Sequence, residues 1–277
     1  MIRHHFTVDV EEYFQVSAFE STVRRADWDG FGLRAAPRVR EILELLGRHD
    51  ERGTFFVLGW MADRVPELVK EIHRAGHEIA SHGWDHKRVT MQSPDEFRAS
   101  VRRTKQKLED LTGAVVRGFR APSFSIVPGY EWALDVLIDE GHQYDSSLFP
   151  VRRPGGYGYP DAPRHQHRIQ RPSGTIIEFP MTTLRRFGLN IPASGGAYFR
   201  IFPYGVIHAA LEQCEQAGTP GMFYLHPWEL DPAQPRMAVP WLARVRHYTG
   251  LERTVPRLKR LFDDFRFTSI ADTLAVQ

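Results

Sequence analysis

The chain has 277 residues, 42% of them hydrophobic and 25% charged, which are ordinary values for a folded globular protein. Its 36 basic and 34 acidic side chains leave a formal net charge of +2, so no polyelectrolyte surface points to nucleic acid. The single cysteine, Cys214, excludes an intrachain disulfide and a cysteine-based zinc site.

The N-terminal stretch MIRHHFTVDVEEYF has no apolar run of signal-peptide type, and no segment reaches the roughly 20 apolar residues of a membrane span. The expectation is a cytoplasmic location. HHFTVDV reads as a strand and PRVREILELLGRH as an amphipathic helix with Pro37 in its first turn. GTFFVLGW reads as a second strand, VPELVKEIHRAG as a helix closed by Gly76, and HEIAS as a third strand. The helix from Pro94 to Gly113 opens on Ser93-Pro94, a cap followed by proline at the first helical position.

VVRGFRAP follows as strand and loop, YEWALDVLIDEG as helix and HQYD as a short strand. Residues 147–175 and 181–202 read as irregular loops on either side of the strand GTIIEFP. PYGVIHAALEQCEQAG is helical, GMFYLH is a strand, and RFTSIADTL gives a last strand and short helix. The segment 229–265 carries no readable role. About seven β–α units predict an α/β fold: a parallel sheet with outer helices, an irregular barrel in one domain over 1–277. Chemistry in such a fold belongs at the C-terminal ends of the strands.

Five strand ends carry reactive residues. Asp9, Glu11 and Glu12 close the first strand, and period-two alternation puts Thr7, Asp9 and Glu11 on one face. Clustered carboxylates repel unless a cation compensates them; one can ligate while another stays free as a base. A solvated acidic turn accounts for Glu12 but poorly for Asp9. His82 and His86, four apart after HEIAS, can reach one metal ion. His73 and His77 share that spacing at the wrong end of a β–α unit. Arg120 in GFRAPSFS can orient a carboxylate, Asp145 ends HQYD, and His226 ends the apolar strand GMFYL. Taken singly, Arg120 is better read as a surface ion pair and His226 as a structural histidine, and Asp145 can be a turn or cap residue. Together they occur in an order that independent structural roles would rarely produce.

The segments DVEEYF, GHEIASHGWDH, FRAPSFS and YLHPWE resemble the polysaccharide deacetylases of carbohydrate esterase family 4, over most of the chain from Phe6 to about His226. DVEEYFQVSAFE, GGAYFRIFPYG and YLHPWE resemble more narrowly a subgroup found with exosortase and exopolysaccharide gene clusters. The resemblance implies a distorted (β/α)7 barrel and a metal-dependent hydrolase that removes N-acetyl or O-acetyl groups from a polysaccharide. It implies Asp9 as catalytic base, His82 and His86 as metal ligands, and Arg120 as the holder of the base. It further implies His226 as general acid and Asp145 as the acid that tunes it.

Two departures stand out. Many members have adjacent aspartates in the first motif; here Asp9 is followed by Val10, so Glu11 is the natural third ligand and Glu12 the alternative. An aromatic residue often stands where Ser123 is; its backbone N–H would serve the oxyanion, and Phe124 would supply the aromatic face. Zn²⁺ is the expected ion, with Co²⁺ and Ni²⁺ as alternatives. Trp84, Tyr198 and Trp228 are candidate sugar-stacking walls against a reading as core residues, and Arg200 a candidate glycan contact. A related hydrolase of small cyclic amides or ureides, and a non-catalytic glycan-binding protein, are the competing readings.

Overall fold

The first strand, β1 (Arg3–Val10), is buried over seven of its eight residues. Phe6, Val8 and Val10 occupy one face and His5, Thr7 and Asp9 the other. A strand apolar on one side and polar on the other, yet buried on both, belongs at the centre of a sheet with something packed on each side. The computed structural model, which describes residues 2–152 and 158–275, places it there.

Further strands are β2 (Thr54–Val57), β3 (Glu78–Ser81), β4 (Gly118–Phe119), β5 (Tyr144–Asp145), β6 (His167–Arg171) and β7 (Gly174–Glu178). Then come β8 (Thr183–Arg186), β9 (Leu189–Pro192), β10 (Met222–Leu225) and β11 (Arg266–Thr268). The main sheet has the order β10-β1-β2-β3-β4-β5-β7-β6, with β11 added along the start of β1. All its pairs are parallel except the β6–β7 hairpin.

The helices are α1 (Ala35–Arg48), α2 (Gly59–Arg64), α3 (Pro66–Arg74), α4 (Pro94–Thr112) and α5 (Trp132–Asp139). They continue as α6 (Gly196–Ile201), α7 (Tyr204–Gln216), α8 (Trp241–Tyr248), α9 (Thr254–Asp264) and α10 (Ile270–Leu274). Helix α4 starts where the sequence places it: Ser93 Oγ accepts from Glu96 N–H and Glu96 returns the bond to Ser93 N–H. Gly113, at φ 68°, ends it.

Phe6, Val8, Phe55, Val57, Phe223 and Leu225 face outward into one core shared with Val39, Ile42 and Leu46 of α1 and Leu258 and Leu261 of α9. Each such side chain contributes about 1.5–3 kcal/mol of hydrophobic stabilisation. The opposite faces of the same strands point inward, where Phe56, Ala80, Tyr144, Met222 and Tyr224 form a second core and the rings of Phe56 and Tyr224 face the buried Arg120.

The expected α/β class holds, but among the described residues the strand ladder does not close between its two ends, β10 and β6. The segment after β7 spans that gap. Thr182 Oγ1 accepts from Met222 N–H at 2.6 Å, and Ser194 O from Tyr224 N–H at 2.8 Å. Gly195 (φ 144°) lies so close that an added Cβ would sit 1.8 Å from Tyr224 O.

Three segments differ from the sequence expectation. Gly59 and Trp60 end the predicted second strand but open α2. The expected loop 181–202 holds the β8–β9 hairpin and α6; its strands are four residues each, too short for alternation to show. The expected loop 147–175 contains β6, while its residues 153–157 lie outside the described residues. Segment 229–265 supplies α8 and α9.

Candidate metal and catalytic site

Parallel pairing brings the C-terminal ends of β1, β3, β4 and β10 to one edge of the sheet. Asp9 and Glu11 arrive from β1, His82 and His86 from the turn after β3, Arg120 from β4 and His226 from β10. Asp9, Glu11, His82, His86 and His226 line a cleft of about 330 Å³.

Glu11, His82 and His86 each offer a ligand atom, and these atoms lie within 4.8 Å of one another. All three residues are buried. His82 Nδ1 is 2.8 Å from the backbone oxygen of Arg120. A carbonyl only accepts, so Nδ1 carries the proton and Nε2 keeps its lone pair. Burial lowers the His82 pKa to about 4, which keeps the ring neutral at pH 7. His86 Nε2 stands 2.9 Å from Glu11 Oε2, yet among the described residues that oxygen has no hydrogen-bond partner. A buried carboxylate oxygen without a donor is costly, and a cation between it and the imidazoles removes the cost. Burial raises the Glu11 pKa, but the His86 and His226 charges outweigh it and bring it to about 2. The donor set of two imidazoles and a carboxylate fits a divalent transition metal. His86 itself has φ 55°, an uncommon conformation for a non-glycine residue.

Glu12 does not join this set. Its carboxylate accepts from Arg34 N–H and Ala35 N–H at 2.9 Å, capping the start of α1. It is buried rather than solvated, contrary to the expected acidic turn.

Asp9 Oδ1 accepts from Arg120 Nη1 at 2.6 Å. Arg120 is wholly buried; it also donates to Thr7 Oγ1, Ser146 O and Ser146 Oγ. The guanidinium is thus fixed at every edge and holds Asp9 in one orientation. Asp9 Oδ2 is 3.9 Å from His226 Nε2, which is 3.6 Å from Glu11 Oε1.

The residue that contacts His226 from behind is Glu229, not Asp145. Glu229 Oε1 lies 2.8 Å from His226 Nδ1 and also accepts from its backbone N–H at 3.0 Å. Burial lowers the His226 pKa, but Glu11, Glu229 and Asp9 raise it to about 8. Asp145 instead accepts from Ser147 Oγ at 2.6 Å and lies beside the carboxyl group of Glu178. Both acids are buried, and burial raises both pKa values, that of Asp145 to about 6 and that of Glu178 further because Asp145 is beside it. One proton between them removes the repulsion. Ser147 Oγ in turn receives Ala121 N–H, so this pair stiffens the loop beside Arg120.

Other expected contacts also fall elsewhere. Arg200 has no exposure and pairs with Glu229 at 2.7 Å, with its remaining donors on Thr249 O and Arg246 O. It therefore anchors the His226 partner rather than meeting a glycan. Trp228 lines the cleft but is stacked between His226 and His247, with ring centroids 4.9 and 4.1 Å away, and its Nε1–H donates to Glu11 Oε1 at 3.1 Å. Trp84 packs on Gly59 and under Arg103, away from the cleft. Tyr198 lies in a separate small groove with Phe199, Phe202 and Val206. Ser123 and Phe124 do line the cleft, in consecutive left-handed conformations (φ 56° and 53°), and Ser123 Oγ is 2.6 Å from Ser17 Oγ. The sequence reading missed Glu229 as the His226 partner and His247 as part of the stack. The only local signal was the glutamate three residues after His226.

Residues 29–130 match the family model for polysaccharide deacetylases, and residues 146–275 match a domain of unknown function, DUF3473. Among curated relatives, the peptidoglycan-N-acetylglucosamine deacetylase PgdA of Listeria monocytogenes is 27% identical over 156 residues, 53% of this chain and 33% of that protein. The peptidoglycan-N-acetylglucosamine deacetylase of Bacillus cereus is 32% identical over 108 residues, 39% of this chain and 38% of that protein. The chain thus spans only about a third of the first of these relatives and under two fifths of the second. A putative polysaccharide deacetylase from Mycobacterium smegmatis shares the fold, with a TM-score of 0.64 at 21% identity over 98% of this chain and 89% of that one. The likeness to polysaccharide deacetylases is thus carried by residues 29–130 and by the shared fold.

Proposed function

We propose that the chain is a metal-dependent deacetylase that removes N-acetyl groups from a polysaccharide or oligosaccharide. The observation that carries this reading is the meeting of Glu11, His82 and His86 at one buried point, beside an aspartate held by Arg120. Those three residues would hold the ion, and Zn²⁺ suits the donor set. When bound, such an ion supplies Lewis acidity to an acetyl carbonyl and to the attacking water.

Asp9 takes the water's proton on Oδ2, the oxygen that Arg120 leaves open. His226 Nε2 faces the same space and delivers a proton to the departing amine. Glu229 on Nδ1 holds the ring in that orientation and stabilises its charged form. The sharp left-handed turn at Ser123 brings backbone to the cleft wall, where an N–H can serve the developing oxyanion. The balance of the step is one water consumed, the amide C–N bond broken, and acetate and a free amine released.

The relatives named as peptidoglycan-N-acetylglucosamine deacetylases support an N-acetylated amino sugar as substrate. A place in exopolysaccharide biosynthesis rests on the narrower motif resemblance. The test is acetate release from N-acetylated chitooligosaccharides with the protein depleted of metal and then resupplied with Zn²⁺. Acetate release restored by the ion supports the reading. Ring opening of small cyclic amides without acetate release would replace it by the competing hydrolase, and no metal-dependent turnover at all would leave only glycan binding.

A further inference from the structure

Helix α8 carries an exposed apolar patch that neither the fold nor the catalytic arrangement uses. Trp241 is 70% exposed and Leu242 73%, with Val245 one turn on at 38%. Arg244 and Arg246 of the same helix are exposed, as is Arg236, whose guanidinium lies 4.4 Å from the centre of the Tyr248 ring at the helix end. The stretch from Pro232 to Leu251 contains no aspartate or glutamate, and among the described residues no carboxylate pairs with Arg236 or Arg244. Large apolar side chains held out in water beside exposed arginines call for an occupant.

From this patch we infer that α8 is a docking element for an anionic phospholipid surface. Three occupants compete, and the chemistry separates them. A neutral glycan chain stacks on flat rings but brings no counter-charge to the arginines, and it gains little from the aliphatic Leu242 and Val245; Gln234 is buried against Trp228 and His247. A second copy of the chain meeting this patch about a two-fold axis would set arginines against arginines. A bilayer interface meets both features at once. Tryptophan and aliphatic side chains enter the headgroup boundary, and arginines pair with phosphate. Each arginine near an anionic surface is worth about a fivefold factor in partitioning. Among the described residues no helix is long and apolar enough to cross a membrane, so this contact is peripheral.

Ala243, Arg246 and His247 of the same helix line the catalytic cleft. Docking through Trp241 and Leu242 therefore turns the cleft mouth toward the membrane surface. The docking itself does not rest on the deacetylase reading.

The experiment is co-sedimentation of the purified chain with extruded vesicles of phosphatidylcholine alone and of phosphatidylcholine mixed with phosphatidylglycerol. The parent is expected to bind the mixed vesicles, more weakly as salt rises, and the neutral vesicles little. The double variant Trp241→Ser, Leu242→Ser and the double variant Arg236→Gln, Arg244→Gln should each lose at least about tenfold in binding. Melting curves check that both variants fold, and acetate release from a soluble chitooligosaccharide reads the deacetylase proposal separately, because none of these four side chains lines the cleft. Absence of binding to mixed vesicles at low salt overturns the inference. So does equal binding of both vesicle types, binding unaffected by either variant, or a dimer that depends on Trp241.

Discussion

At the residue scale, the site works through how each side chain is held. Arg120 makes four hydrogen bonds in a buried setting, and one of them fixes Asp9. Asp9→Asn keeps the shape but removes the base, so turnover should fall by at least about 100-fold while zinc content stays at the parental level. Turnover within a few-fold of the parent would reassign the base. Glu229→Gln keeps a contact to His226 but removes the negative charge between that ring and Arg200. A loss of about 10–100-fold in kcat with little change in KM is expected; a change confined to KM would make Glu229 a substrate-binding residue instead. Asp145→Asn should leave the pH profile of turnover unchanged, because Asp145 does not touch His226. The same scale shows what could be read in advance. Asp9, His82, His86, Arg120 and His226 each end a strand within a short motif, so local pattern finds them. Glu229 and Arg200 are 29 positions apart and meet only through the fold, and Trp228 looks like a sugar wall until its indole N–H is seen on Glu11.

At the element scale, long helices and apolar strands were legible because their period repeats several times. Helix α4 has its cap, its N1 proline and its terminal glycine all in the sequence. The two-residue strands β4 and β5 were read within the short segments VVRGFRAP and HQYD, and β8 and β9 not at all. These are the elements whose existence depends on neighbours rather than on propensity. The Ser194–Gly195 stretch beside β10 belongs to the same class. Gly195→Ala forces a methyl against Tyr224 O in a backbone region that favours glycine, so a loss of at least about 2 kcal/mol in unfolding free energy is expected. Chemical denaturation would measure it, and a variant as stable as the parent would mean that this stretch is not anchored to β10.

At the scale of the whole molecule, protonation couples to stability with opposing signs. His4, His5, His77 and His142 lie away from the cleft, and burial holds their pKa values down to about 4, 3, 4 and 3. Such groups contribute stability above the unfolded pKa of about 6.5 and lose it as pH falls, because the unfolded chain takes up the protons first. Buried acids with raised pKa values, among them Glu78, Glu178 and Asp145, act the other way. A single variant isolates one contribution. His142, whose ring nitrogens have no hydrogen-bond partner among the described residues, packs against Phe119. His142→Phe should gain on the parent by about 2 kcal/mol between pH 6.5 and pH 5. Melting curves that keep a constant separation over that range would show that His142 does not stay neutral in the folded state.

The central claim is that three buried side chains from two separate strand ends form one cation site. Elemental analysis after chelation, reconstitution with Zn²⁺ and desalting tests it without reference to turnover. One tightly held zinc per parental chain is predicted, lost in Glu11→Gln, His82→Ala and His86→Ala but kept in Glu12→Gln. A zinc content that survives all three ligand substitutions, or that disappears with Glu12 instead of Glu11, would contradict the account.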